Sequence, residues 1–209
     1  MSKEYPYLVA GLPELLFDGD AKAFSLDELV AYVHERIDVS DKRLLRLLLL
    51  GLKEKTQTPV FYSEAAKCNN KFINNYFAFD RDCRNVLAGA AARRMGVSAQ
   101  PHLVGDGEVT EAILYNKAAD FGLSGVLDFM PVLSSILDIE NVLERERKLD
   151  QLRWSKAEEL TVFNYIDIDK VLAFVAKAHI VARWLKLDKP KGEEFFEKLV
   201  LDIKGSYTK

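Results

Sequence analysis

The chain has 209 residues, of which 49% are hydrophobic and 29% charged, a composition typical of folded globular proteins and not of disordered ones. This length allows one large domain or two small ones, with enough residues to bury a substantial core. The formal net charge of −3 lacks the basic excess with which nucleic-acid-binding proteins contact phosphates, so we expect no nucleic-acid partner.

The two cysteines and the apolar runs bear on where the protein resides. Cys68 and Cys83 do not have the spacing of a metal-binding or redox motif, and no leader-like segment opens the chain, so we expect a cytoplasmic location. The most apolar run, Leu44–Leu52, is short and contains Arg46. The sequence therefore predicts no direct membrane span.

The N-terminal part of the chain predicts an extended segment followed by a pair of helices. Tyr5–Ala10 is rich in aromatic and apolar residues, which favours an extended arm or a short strand. Ser25-Leu-Asp-Glu28 has the form of a capping box and opens one helix. Ser40 opens a second helix, in which six leucines surround Arg46. Because that helix is apolar on nearly all sides, we expect it to be buried.

Phe79–Gly96 predicts the second half of a long central helix. Small residues dominate Ala88–Ala92, Arg93 and Arg94 follow in the last turn, and Gly96 stands where a left-handed cap is expected. A helix with such small side chains lets the backbone of a neighbour come close, so we expect it at the centre of a bundle. The aromatic and apolar residues leading into it predict core packing, namely Phe72, Ile73, Tyr76, Phe77 and Phe79.

The second half of the chain predicts further helices separated by glycine-containing loops. A loop over residues 97–107 precedes a short helix over 109–119, and a second loop follows over 121–125. Helical patterns resume at about Val132. Asp167 opens a strong helix that extends to Leu187, and Phe195–Ile203 forms the last one. The predicted fold is mainly α: a bundle of six to eight helices with a short extended N-terminal segment.

The domain prediction is a single all-helical domain over residues 1–209, and the alternative is two sub-units, 1–97 and 108–209, joined by the Gly/Pro loop. A short pattern supports internal duplication. Asp82–Leu87 recurs as Asp138–Leu143 and again as Asp167–Leu172. Two interpretations stay open: two helical repeats, or a common way of starting an amphipathic helix. The uneven spacing is unlike that of a solenoid.

No motif in the sequence identifies a catalytic or metal centre. Asp120-Phe-Gly-Leu-Ser124 contains the metal-binding triplet of protein kinases, but the glycine-rich loop, the strand lysine and the catalytic loop that kinases need are missing upstream. We therefore expect Asp120 to cap a turn. The histidines have no ligand spacing relative to one another, so we predict no metal, no cofactor and no catalytic residue among the three, which are His34, His102 and His179.

We consider three hypotheses for the function, and an enzyme ranks below the two that are described after it. Its site would be assembled from His102, Asp106 and Asp120, which fall in the glycine-rich middle loops where functional residues tend to collect. A deep polar pocket that holds these three side chains together would support this hypothesis.

Three segments carry a resemblance to known proteins: Tyr7–Leu15, Phe79–Gly96 and Phe163–Leu187. With them, most of the chain resembles an uncharacterised bacterial family associated with V-type (archaeal-type) ATPase gene clusters. The central motif is also similar, more distantly, to the C-type (or d-type) stalk protein of those rotary enzymes. There an asparagine, an apolar pair, a basic residue and a glycine recur in helical repeats. The matching positions here are Asn85, Val86, Leu87, Arg93, Arg94 and Gly96.

The resemblance implies a non-catalytic, funnel-like cap that couples the central stalk of a V-type ATPase or ATP synthase to the membrane proteolipid ring. Such a protein is cytoplasmic and peripheral to the inner membrane, and it takes part in ion transport only through the complex. The partner-binding candidates are Arg84, Asn85, Arg93 and Arg94. The alternative for each is a contact within the chain.

Two departures from the C-type stalk proteins bear on this interpretation. Those proteins have three repeats and are longer, and the third copy of the pattern here has Lys170 in place of the asparagine. An assembly factor or regulatory module that binds the complex transiently is the second hypothesis, with the same fold.

Overall fold

A computed structural model describes residues 3–17 and 25–186 of the chain. This part is mainly α, as predicted, and contains nine helices and two short 3₁₀ turns, at Glu54–Thr56 and Gln100–His102. The helices are α1 (Pro6–Ala10), α2 (Leu26–Arg36), α3 (Val39–Gly51), α4 (Pro59–Ala66), α5 (Lys71–Met95), α6 (Glu108–Tyr115), α7 (Met130–Leu137), α8 (Val142–Glu159) and α9 (Ile168–Lys186).

The N-terminal segment is extended only at its beginning. Glu4 forms an isolated antiparallel bridge with Asp167, but the next residues, predicted to be extended, form α1. Pro6 explains the difference, because its fixed φ suits the first position of a helix. Tyr5 attaches this segment to α3: its hydroxyl donates to the Asp41 carboxylate. Burial and that hydrogen bond raise the pKa of Tyr5 to about 12.

The two helices that follow begin close to their predicted starts. The Ser25 hydroxyl accepts a hydrogen bond from the Glu28 amide at 3.2 Å, which confirms the cap of α2. The expectation that α3 is buried all round is wrong. Leu45 and Leu48 are buried, but Leu50 is 42% exposed and Arg46 is exposed as well. α3 contacts α5 and α9, and Arg43, Arg46 and Leu50 form a stripe that stays exposed.

The long helix α5 is the centre of the bundle, as predicted. It contacts α3, α4, α6, α7, α8 and α9. The Asn70 side chain accepts a hydrogen bond from the Ile73 amide at 2.9 Å and so caps its start. Gly96, with φ of +69°, ends it in the left-handed conformation that glycine adopts without steric cost. The predicted aromatic core residues are all buried.

Two hydrophobic clusters share α5 between them. The first combines the N-terminal half of α5 with α1 to α4 and most of α9. The second combines the C-terminal half of α5 with α6, α7 and part of α8. The division into 1–97 and 108–209 stays a prediction, and the clusters do not follow it, because α9 packs with the first helices of the chain.

The three copies of the repeated pattern have different structural settings. Asp82 lies inside α5 and Asp138 directly follows α7, so the helix-start interpretation of the pattern does not hold for these two copies. Only Asp167 opens a helix, accepting a hydrogen bond from the Lys170 amide at 3.2 Å.

The predicted last helix, 195–203, lies outside the described residues. Within the described ranges, no helix has the length and apolar character needed to cross a membrane.

The small-residue face of α5 accommodates side chains, not the backbone of a neighbour. A β-carbon built on Gly89 would lie 2.5 Å from Cγ2 of Ile113 in α6 and 3.2 Å from the ring of Phe121. A 2.5 Å separation is far below van der Waals contact, so a side chain at this position requires Ile113 to shift.

We expect Gly89→Leu to lower the free energy of unfolding by about 1–3 kcal/mol through overpacking. The matched control is Ala91→Leu on the exposed face of α5, which should cost much less. Urea denaturation of the three proteins measures both effects. Equal stability of the Gly89→Leu variant and the parent chain would contradict the close contact with Ile113.

Candidate functional site

A polar cavity of about 670 Å³ lies among α5, α8, α9 and the segment that follows α3. Each of the three helices contributes a pair of ionisable side chains three or four residues apart, a spacing that places both members on one face. The pairs are Asp80 and Arg84 of α5, Asp150 and Arg153 of α8, and His179 and Arg183 of α9.

Asp80 is buried at the centre of this arrangement. Its carboxylate accepts hydrogen bonds from Arg84 Nε at 2.9 Å, from Arg153 Nε at 3.3 Å and from the Tyr62 hydroxyl at 2.7 Å. Burial acts to raise the pKa of Asp80, but the guanidinium groups of Arg153 and Arg84 outweigh it and hold the pKa below its ordinary value. Asp80 is therefore ionised at neutral pH.

Asp150 is the second buried carboxylate. It accepts hydrogen bonds from Arg153 Nη1 at 3.0 Å, from Trp184 Nε1 at 2.8 Å and from the Arg183 guanidinium. Arg153 thus bridges the two carboxylates. Burial acts to lower the pKa of Arg153, but the charges of Asp80 and Asp150 raise it further above its ordinary value. The guanidinium stays protonated.

The lining of the cavity carries more positive than negative charge. Two lysines from the segment after α3, Lys53 and Lys55, join the three arginines around the two carboxylates. This leaves three more cationic than anionic groups among the lining residues. His179 is half-buried, and burial, together with the charge of Arg183, lowers its pKa. The imidazole is therefore mostly neutral near pH 7.

Two lining residues have buried polar atoms without a hydrogen-bond partner in the described part of the chain. They are the hydroxyl oxygen of Tyr76 and Oε1 of Gln57. Burial raises the pKa of Tyr76, so its phenol is neutral. Buried polar groups in native proteins are nearly always paired, and each unpaired one costs about 1–3 kcal/mol.

The structure places two of the predicted partner-binding residues within the fold. Arg84 lines the cavity and pairs with Asp80. Asn85 is buried and clamps the Gly/Pro loop onto α5: its side-chain amide donates to the Val104 carbonyl at 2.9 Å, and its oxygen accepts from the Val104 amide at 2.8 Å. Both side chains therefore make the contacts within the chain that the alternative interpretation describes.

Arg93 and Arg94 also reach other parts of the chain. Arg93 donates to the carbonyls of Ala118 at 2.6 Å and Asn116 at 2.8 Å, and its guanidinium lies 4.0 Å from the centre of the Phe121 ring. Arg94 donates to the Leu137 carbonyl at 2.6 Å. Both residues remain exposed at the end of α5. Their role in binding a partner stays a prediction.

The three residues of the enzyme hypothesis do not line this cavity. The Asp120 carboxylate accepts hydrogen bonds from the Gly122 amide at 2.9 Å and from the Ser124 hydroxyl, which confirms the predicted turn. Within the described residues, no group of three or more histidine, cysteine and carboxylate side chains is arranged to hold a metal ion.

Sequence reasoning missed most of the cavity residues. Asp80 stands among positions that the pattern assigns to the core, and Asp150 directly follows the apolar Leu149 in α8. A charged residue on the buried stripe of a helix is the signal that could have revealed them, because such residues are almost never fully buried unless paired.

We expect Asp80→Ala to destabilise the chain by about 3–5 kcal/mol, because it removes one of the two carboxylates that pair with Arg153, whose side chain is only 17% exposed. The matched control is Asp128→Ala, which removes an exposed carboxylate paired with Lys156 and should cost at most about 1 kcal/mol. Urea denaturation compares the two variants. Similar losses would contradict a special role for the buried carboxylate.

The effect of removing the Asp80 charge should depend on pH. The folded-state pKa of Asp80 lies below the ordinary 3.8, so its ionised form stabilises the fold above about pH 4 and this contribution is lost as the pH falls through the folded-state pKa. The stability difference between the parent chain and Asp80→Asn should therefore shrink as the pH falls below about 4. A difference that stays constant from pH 6 to pH 3 would contradict the depressed pKa.

Comparison with known proteins places the chain in a family. No curated protein and no solved structure matches it. The model of one family, described as a protein of unknown function (DUF2764), matches residues 53–206. This range includes the ionisable residues of the cavity and covers well over half of the chain. The chain therefore belongs to the DUF2764 family.

Proposed function

We propose that the chain is a non-catalytic subunit of a V-type ATPase or ATP synthase that couples the central stalk to the membrane proteolipid ring. The resemblance of its sequence to a family associated with V-type ATPase gene clusters is the origin of this proposal. The structural observation that supports it is a pair of exposed apolar surfaces at opposite ends of α5.

The first surface, here the α5-start surface, consists of Tyr7, Phe163 and Tyr165. These side chains are 93%, 84% and 72% exposed. Backbone pairing brings the two segments that carry them together, since the Tyr5 amide donates to the Ile166 carbonyl. The surface lies near the start of α5 because the α5 cap, Asn70, donates a hydrogen bond to Asp169 in the first turn of α9.

The second surface, here the α5-end surface, surrounds the last turn of α5. Met95 and Tyr115 are 74% and 79% exposed, and Val97 is more than half exposed. Arg93, Val97 and Tyr115 line one shallow cleft. The predicted partner-binding residues Arg93 and Arg94 therefore stand beside exposed apolar side chains.

The distance between the two surfaces suits a coupling role. The 25 residues of α5 correspond to about 37 Å at 1.5 Å per residue. Tyrosine, phenylalanine, methionine and arginine are the residues enriched in protein–protein interfaces, and both surfaces draw on this set. A protein that couples two bodies needs two separate docking surfaces, and α5 provides a continuous helix between them.

A transient assembly factor or regulatory module is the alternative, and it would use the same surfaces. The two functions differ in stoichiometry, because a structural subunit is recovered at a fixed ratio to the motor and a transient factor is recovered below that ratio. Both place the chain at the cytoplasmic face of the inner membrane through its partners.

The proposal is tested by affinity purification of the tagged chain from native membranes in mild detergent, with every recovered protein quantified. We expect V-type ATPase subunits at a fixed ratio. Phe163→Glu on the α5-start surface and Met95→Glu on the α5-end surface should each reduce recovery at least tenfold, because a charge buried in an interface without a partner costs well over about 1.4 kcal/mol.

The matched control is Val60→Glu, which places the same charge at an exposed position of α4 and should leave recovery unchanged. Recovery of no ATPase subunit from membranes that contain the intact motor would overturn the proposal. Sub-stoichiometric recovery would favour the transient module.

A further inference from the structure

We propose that the cavity among α5, α8 and α9 binds a small phosphorylated molecule. This binding site is separate from the two docking surfaces, and its test does not depend on the ATPase. The proposal rests on the charge of the lining, on unpaired polar groups in the wall and on the size of the cavity.

The two carboxylates of the lining are already neutralised by arginine. Asp80 accepts from Arg84 and Arg153, and Asp150 from Arg153 and Arg183. Neither carboxylate is left to pair with Lys53 or Lys55.

The two lysines provide the excess positive charge. Both are exposed at the cavity, and no carboxylate whose position the structure describes lies within ion-pair distance of either one. The charge of Lys53 also contributes to lowering the pKa of His179 in the cavity wall. An anion in the cavity would meet these unneutralised charges in a partly desolvated site, where electrostatic attraction is stronger than in water.

The wall also has unused hydrogen-bonding capacity. The Tyr76 hydroxyl belongs to a side chain that is 2% exposed, and it has no partner in the described residues. Gln57 Oε1 is likewise buried and unpaired. A bound polar molecule supplies the partners that such groups otherwise lack.

Charge and size together favour a phosphorylated molecule over a simple carboxylate. The positive charge of the two lysines is better matched by a phosphate or diphosphate group than by a single carboxylate, and guanidinium and ammonium groups are the usual phosphate ligands. A volume of about 670 Å³ lies within the range of small-molecule pockets, about 300–1,000 Å³. The cavity therefore has room for an organic part beside the phosphate.

The test is isothermal titration calorimetry of the purified full-length chain with pyrophosphate and with ADP. Adenosine is the uncharged control and citrate is the polycarboxylate control. We expect saturable binding of at least one of the two phosphate compounds, which weakens as the salt concentration rises, and weaker or no binding of the controls. No saturable binding of either phosphate compound, or citrate binding of equal strength, would overturn the assignment.

A charge-reversal variant locates the site. Lys53→Glu combined with Lys55→Glu should weaken binding about tenfold or more, since each charge-assisted contact contributes more than a neutral hydrogen bond. Both lysines are exposed, so the fold should be retained, and circular dichroism checks this. The matched control, Lys67→Glu, changes an exposed lysine of the α4 end that does not line the cavity. Equal affinities of the double variant and this control would exclude the cavity as the binding site.

Discussion

The bridge that Arg153 forms between Asp80 and Asp150 is the interaction on which the packing of the three longest helices depends. It joins α8 to α5 across the cavity, and the contact of Asp150 with Arg183 and Trp184 extends it to α9. Buried charges cost several kcal/mol each unless paired with good geometry. Because a shift of any helix would leave one of these groups unpaired, the network fixes how the helices align.

The network also affects the surfaces through which the protein would bind other molecules. The hydrophobic clusters on either half of α5 would by themselves tolerate small displacements, because apolar burial is not directional. The hydrogen-bonded charges make the alignment of α5 with α8 and α9 specific. The same network neutralises the two carboxylates beside the cavity, so that the lysines at its edge are left as the excess charge.

Much of the local structure follows from the sequence. The start of α2 is set by Ser25 and Glu28, the end of α5 by Gly96, and the turn after α6 by Asp120, because each depends on side chains within a few residues. The predictions failed for features that depend on which side chains become buried. The sequence places leucines on nearly all sides of α3, yet only the stripe that includes Leu45 and Leu48 is fully buried. The repeated Asp-to-Leu pattern likewise marks three unrelated settings, since a short pattern does not specify what surrounds it.

The sequence by itself determined that the chain is a bundle of helices, where several of them begin and end, and that aromatic residues of α5 enter the core. Helix periodicity and capping are local properties, and a single chain encodes them directly. Only the tertiary structure decided which polar residues meet. Asp80 and Arg153 are far apart in the chain, and their contact exists because α5 and α8 pack side by side. Periodicity assigns a residue to one face of its helix. Which other helix packs against that face depends on the packing of the whole chain.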